Sequence, residues 1–537
     1  MLLAGRITKN QLLNKFLTPS GFLKLILLLS IIVFNYWNCL RIGSFWDYQG
    51  DDIAARANLH WLRVGVSQEN EDFFQRMIPF GYSLTYIQWI PWLFGERNVD
   101  ISSVQTEFWL NYRNIFTFHI FLFGVAAIIS WSRRFLKLSS LTILILILIL
   151  FPPISGLAIM DDKDIPLFSG IASAMALFAN VLKPRSTRIE FFMRILWLNA
   201  SVLLVLGTRP GAAGILIGIY VYILALTSHK NKFIWTLLWS LPTLIYIYFT
   251  SVTFQRFGIL WLWRTFSQSS SFPDWKGQEL YWGRVISSPP TPWHYLHGHL
   301  FSQIPVFIYF LIVVLAIVGV KRTAQPRAYA TKSKEALFRL LINPKYFPIL
   351  FLVIFLSYVA VSAPLLYNSA RQLSFVWVFI IMIALQLLQK FLGSFKSISL
   401  RAALIILMAL PVIDNLNLAP YGYVYRNEIA NATAGSGFET DYWGLSGKEA
   451  VTWIEESPNL PKRLIGDPIV TYQVYFPEVE QNVEGKEIKE PFLYAHINAP
   501  FNDFKNQYRS CTLLKSIERQ QIVRGRVVLS FIRICNP

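Results

Sequence analysis

Eleven runs of about 20 mostly apolar residues divide the chain, at 22–40, 114–131, 138–159, 165–182, 192–208, 211–227, 233–251, 301–320, 347–363, 373–389 and 400–416. As helices, runs of that length cross a hydrocarbon core of ~30 Å. The pattern therefore predicts a polytopic α-helical membrane protein with about 11 transmembrane helices. Pro152 and Pro153 interrupt the third run, whose end is expected to kink or unwind.

Polar sequence collects in three longer segments. In the first, 42–113, the stretch from Asp51 to Val64 has the spacing of an amphipathic helix, and aromatic, Pro-containing sequence suited to an interface follows it. The second, 252–300, is rich in Trp and Pro. The third, 417–537, alternates short apolar runs with Asn, Asp, Pro and Gly, the pattern of a small α/β domain. In it Val451 to Glu456 reads as helix, while Ile469–Tyr472 and Arg526–Ile532 read as strands. The division is thus 1–416, a multi-span domain carrying the loops 42–113 and 252–300, and 417–537, a separate domain.

Composition agrees. The chain is 54% hydrophobic and 15% charged, against ~25% charged in soluble domains, which excludes both disorder and a lone soluble core. The formal charge of +18 sorts by side. Alternating the connections puts 1–24, 132–137, 183–194, 229–232, 321–345 and 390–401 together, with 23 of the 49 Lys and Arg and only two acids, Glu190 and Glu335. By the positive-inside rule this side is cytoplasmic. The N-terminus is then inside and the C-terminus outside, and the basic balance reports orientation rather than a nucleic-acid surface. The first run has the length of a span and lacks a small-residue cleavage site near Cys39, so it reads as a retained anchor.

Cys511 and Cys535 flank a hairpin pattern centred on residue 523. On the oxidising side they form either a disulfide or two unpaired thiols of different register. Asn431-Ala-Thr433 is a glycosylation sequon on the same side.

The ionisable residues near span ends fall at one face. Asp51 and Asp52 follow the first span, Asp161, Asp162, Lys163 and Asp164 lie between the third and fourth, and Arg209 lies between the fifth and sixth. His294, His297 and His299 precede the eighth, and Arg371 opens the tenth. Each has a structural reading too: Asp164 as an N-cap ahead of Pro166, Asp51 and Asp52 as caps, Arg209 and Arg371 as snorkelling side chains. The histidine spacing matches no standard zinc site.

At these positions the chain resembles the GT-C type of polyprenyl-phosphate-dependent glycosyltransferases, in particular bacterial relatives of protein O-mannosyltransferases and the aminoarabinose transferase. The resemblance is carried by Gly50-Asp51-Asp52, Lys163-Asp164-Ile165-Pro166-Leu167, Pro292-Trp293-His294-Tyr295-Leu296, Tyr367-Asn368-Ser369-Ala370-Arg371, Tyr425-Arg426-Asn427-Glu428 and Phe438 to Ser446. The chain departs from the family in Asp51-Asp52, where Asp-Glu is usual, in Asp161-Asp162, where Asn-Pro often stands, and in Gln372, where His is common.

The resemblance implies an integral plasma-membrane enzyme that passes a sugar from a polyprenyl-phosphate carrier to an acceptor hydroxyl on the extracytoplasmic side, with inversion. Asp51, or Asp52, would be the base, and Asp164 would orient the acceptor or the base. Arg371 would hold the departing phosphate, helped by Arg209 or Lys163. Trp293, His294, Tyr295 and Tyr367 would line the sugar pocket. The partners are a lipid-linked sugar, membrane lipids, and a lipid, glycan or protein acceptor. No cofactor is firmly implied: the Asp pairs suit Mg²⁺ or Mn²⁺, whereas the mannosyltransferase relatives imply catalysis without metal. The rival reading is a transporter or flippase of lipid-linked sugars, but such proteins place charges near mid-membrane and show repeated halves.

Overall fold

The computed structural model describes residues 19–45, 48–78, 107–182, 187–226, 234, 237–270, 277–288, 291–323, 343–362, 364, 366, 369, 371–481, 488, 490–498 and 511–536. Among these, seven helices are long and apolar enough to cross a membrane: α1 (Pro19–Arg41), α4 (Glu107–Phe135), α7 (Asp164–Val181), α8 (Arg188–Thr208), α15 (Phe347–Ser362), α16 (Val376–Ser394) and α17 (Ile398–Leu418). Two bent pairs raise the count to nine. They are α5 (Ser140–Leu150) with α6 (Pro152–Ala158), and α13 (Tyr295–Gln303) with α14 (Val306–Thr323). Two shorter apolar helices, α9 (Ala213–Leu226) and α10 (Leu241–Thr250), lie in the remaining expected spans.

α7 is the central helix, every residue of it buried. Small residues let its neighbours approach closely, as in membrane helix packing generally. A side chain at Gly124 of α4 would strike Ser169, and one at Gly170 would strike Val205 of α8. Between α5 and α6 the axis turns by 90°. Pro152 and Pro153 lack the N–H groups that would continue α5, and they fit the first turn of a new helix.

On the side where α4 begins, α2 (Tyr48–Val64) is the expected amphipathic helix, followed by α3 (Glu71–Met77). Cys39 is buried in α1 with its Sγ 3.8 Å from the Asn114 carbonyl. The second polar segment forms α11 (Val252–Phe257), α12 (Leu260–Ser270), the hairpin β1 (Gly277–Tyr281) and β2 (Arg284–Ser288), and α13. The aromatic stretch after α3 lies outside the described residues from 79 to 106.

The C-terminal part begins with α18 (Glu428–Ala434) and α19 (Gly447–Glu455). It continues through β3 (Leu464–Asp467), α20 (Val470–Gln473), β4 (Glu480–Gln481), β5 (Phe492–Ile497), β6 (Thr512–Gln521) and β7 (Gly525–Cys535). The sheet order is β4-β3-β5-β7-β6, with β3 parallel to both neighbours and β7 antiparallel to both of its own. Buried throughout, β5 forms its centre. Cys511 and Cys535 are joined by a disulfide across the open end of the β6–β7 hairpin.

One strand expectation is corrected. Ile469–Tyr472 is not a strand: Val470–Gln473 is helical, and the strand is Leu464–Asp467 just before it. Pro468 has no N–H to donate to a ladder and so ends the strand, and its carbonyl accepts the Thr471 N–H and hydroxyl at 3.2 and 2.9 Å. The sequon is also not presented, because Asn431 is buried in α18 and donates to the Arg426 carbonyl at 2.8 Å.

The segment 419–446 packs onto the membrane helices. Added Cβ atoms at Gly156 and Gly43 would lie 2.2 Å from Tyr423 N and Leu445 O respectively, so only glycine admits these approaches.

Candidate functional site

The turn before α7 and the start of α2 bring most of the expected acids together. Asp51 and Asp52 are the fourth and fifth residues of α2, inside the helix rather than the caps expected of them, while Asp161, Asp162, Lys163 and Asp164 lead into α7, and all six are at most 4% exposed. Buried carboxylates demand compensation, and four of the five are paired with a cation. Lys163 Nζ lies 3.0 Å from Asp51 Oδ1, and Arg113 Nη2 lies 3.6 Å from Asp51 Oδ2. Arg113 also pairs with Asp162. Arg56, one turn along α2, meets Asp52 at 2.9 Å. Asp164 accepts from Arg209 Nε and Nη2 at 3.1 and 2.9 Å.

The capping expected of Asp164 is done by Asp161, whose Oδ1 accepts the backbone N–H groups of Lys163 and Asp164 at 3.1 and 2.9 Å. Among the described residues Asp161 Oδ2 has no hydrogen-bond partner. Burial, then the charge of Asp164, pushes the Asp161 carboxyl up to about 7 against the opposing pull of Arg371 and Lys163. Burial also pushes Asp52 up to about 6, outweighing Arg56 and Arg113.

Arg371 is 5% exposed, and its guanidinium carbon sits 3.8 Å from the ring centroid of Trp443. A planar guanidinium stacked in this way keeps its edge for bidentate contact with phosphate or carboxylate. Arg371 and Asp161 both act electrostatically on Tyr442, which places the 438–446 segment over the same cluster. Asp441 fixes that segment, accepting from Tyr423 and from the N–H groups of Leu445 and Ser446 at 2.9 and 2.8 Å.

Of the expected pocket residues, Tyr295 is buried against Ser369, two residues before Arg371. Tyr295 donates its hydroxyl to Glu279 and accepts the Ser369 N–H at 3.0 Å. Ser369 has a φ of +69°, and its hydroxyl lies 3.2 Å from His299 Nδ1. Trp293 is 62% exposed, and His294 points to the Tyr281 hydroxyl at 3.0 Å. Tyr367 lies outside the described residues.

Arg113, Arg56, Trp443 and a second buried group, Glu279 with Glu439 and Arg426, were not anticipated as site residues. Glu439 is raised by burial and by the charge of Glu279, and Arg426 packs over Phe438 at 4.8 Å. Arg113 had a weak signal in the sequence, an arginine directly before the apolar run 114–131.

Among the described residues no three His, Cys, Asp or Glu side chains are grouped to hold a metal. The acids face ammonium and guanidinium groups, a poor donor set for a divalent ion.

No family model matches the chain, and no curated protein matches it in sequence. Among solved structures it is similar to ArnT from Cupriavidus metallidurans in the apo state, with a TM-score of 0.43 and 11% identity over 94% of this chain and 97% of that one. It is also similar to the same protein bound to undecaprenyl phosphate, with a TM-score of 0.45 and 11% identity over 96% and 98% of the two chains.

Proposed function

We infer that the chain is an inverting GT-C glycosyltransferase that moves a sugar from a polyprenyl-phosphate carrier to an acceptor hydroxyl at the extracytoplasmic face of the plasma membrane. The observation that carries this reading is Arg371, buried on Trp443, acting electrostatically on Asp161 in a cluster of buried aspartates. Residues 1–416 form the membrane domain in this reading, and 417–537 form an extracytoplasmic domain that closes over the site.

The acceptor oxygen attacks the anomeric carbon from the side opposite the phosphate. As the new C–O bond forms, the acceptor proton passes to Asp51, worth roughly 10²- to 10⁴-fold in rate. The bond between anomeric carbon and phosphate oxygen breaks, and its electron pair leaves with the polyprenyl phosphate. Arg371 binds that growing charge. Lys163 and Arg113 hold the Asp51 carboxylate in position, and Arg209 holds Asp164 in place. The products are the glycosylated acceptor, polyprenyl phosphate and a protonated Asp51.

The test is release of polyprenyl phosphate from a panel of polyprenyl-phosphate sugars by the purified chain. Turnover of one donor is expected. Failure with every donor, together with passage of lipid-linked sugar across reconstituted vesicles, would replace the enzyme with a transporter.

A further inference from the structure

α4, α7 and α8 meet again far from the acids. Twenty residues of α4 separate Arg113 from Arg133, ~30 Å at ~1.5 Å per residue, the thickness of the hydrocarbon core. At that end the three helices border an open cavity of about 300 Å³ lined by Ser130, Arg133, Arg134, Asn180, Glu190 and Met193.

Its polar wall is built by the helix ends. Arg133 Nε donates to Ser140 Oγ at 2.8 Å, which fixes the plane of its guanidinium. Asn180 Nδ2 donates to Ser130 Oγ at 3.2 Å and to the Ala176 carbonyl at 2.8 Å. Arg194, 8% exposed, donates to the Asn180 carbonyl at 3.2 and 2.9 Å and so ties α8 to α7. Glu190 already accepts the Thr187 N–H at 3.0 Å in a capping box. Two guanidinium groups therefore face one carboxylate that is hydrogen-bonded elsewhere, a net attraction for an anion. On either side of Glu190 in the sequence, Ile189 and Phe192 are 76% and 65% exposed. A cationic cavity beside exposed apolar side chains, at a span end, matches an amphiphile with an anionic head.

We propose that this cavity binds the headgroup of an anionic glycerophospholipid. Its phosphodiester sits on Arg133 and Arg134, and its acyl chains run along Ile189 and Phe192. The volume suits one headgroup, and basic pockets between spans recognise anionic headgroups in this way. The inference stands apart from sugar transfer, because it concerns the opposite membrane face.

Native mass spectrometry of the delipidated full chain, titrated with phosphatidylglycerol, phosphatidylethanolamine and inorganic phosphate, tests it. Phosphatidylglycerol should be retained in preference to phosphatidylethanolamine. Arg133→Gln with Arg134→Gln should lower that retention roughly tenfold or more, and Asp51→Asn should leave it unchanged. Arg134 is exposed, so Arg134→Gln alone serves if the double variant does not fold, with a smaller loss expected. Equal retention of the two lipids, undiminished retention in the arginine variants, or displacement by millimolar inorganic phosphate would each overturn the assignment.

Discussion

At the scale of single residues, the site is an exercise in charge compensation. Asp51, Asp52, Asp162 and Asp164 each touch a cation, whereas Asp161 spends one oxygen on the backbone ahead of α7 and its other oxygen is buried without a hydrogen bond among the described residues. Its folded-state pKa of about 7 lies above the ordinary carboxylate value, so its ionised form opposes folding. The sign follows: the wild type loses stability as pH rises from ~4 to about 7, where the unfolded chain is already ionised and the folded one becomes so. Asn keeps the oxygen that caps α7 and cannot ionise. Asp161→Asn should therefore raise the melting temperature by a few degrees at pH 8 and by little at pH 5; an equal effect at both values would contradict this. Acids at this face could be read from the sequence because they interrupt apolar runs. Of their partners only Arg56 has a local signal, four residues after Asp52 on one helix; Arg113 meets Asp51 and Asp162 only after three separate stretches fold together.

Among elements, the loop before α16 that carries Arg371 is held from α13. Tyr295 and His299 bind Ser369, whose left-handed backbone is costly for a residue with a Cβ. That makes Tyr295 a positioning residue. Tyr295→Phe should raise the KM for donor about tenfold, the loss of a buried hydrogen bond of ~1–2 kcal/mol, and should leave kcat nearly intact. Ser369→Gly in the same chain should restore part of it, because glycine accepts a φ of +69°. A KM defect that Ser369→Gly does not touch would return Tyr295 to the sugar pocket. The break after α5 was legible from Pro152 and Pro153, and the β6–β7 hairpin from its alternation. Ile469–Tyr472 misled because β-branched residues also sit in a short turn of helix once proline has stopped the strand.

For the whole molecule, hydropathy located every long apolar helix among the described residues, because a lipid-facing helix must be apolar along its length. It gave no warning that α7 would be wholly enclosed, or that 419–446 would press onto α6 through Gly156. Close backbone approach leaves only a glycine as its trace. Orientation rests on the arrangement of Lys and Arg and has a direct check. Single cysteines placed at Glu455 and at Arg134, in a chain whose Cys39 is replaced, should be labelled from opposite sides of sealed vesicles by a membrane-impermeant maleimide, Glu455 from the extracytoplasmic side. Labelling of both from one side would contradict the topology.

The most direct measurement of the central claim separates carrier binding from chemistry in two variants. Polyprenyl-phosphate affinity and single-turnover sugar transfer would be measured for the wild type, Asp51→Asn and Arg371→Ala in the same detergent. Asp51→Asn should bind the carrier like the wild type and lose roughly 10²- to 10⁴-fold in transfer rate, while Arg371→Ala should lose affinity and rate together. Wild-type affinity in Arg371→Ala, or near-normal transfer in Asp51→Asn, would show that these residues do not hold the phosphate and the proton.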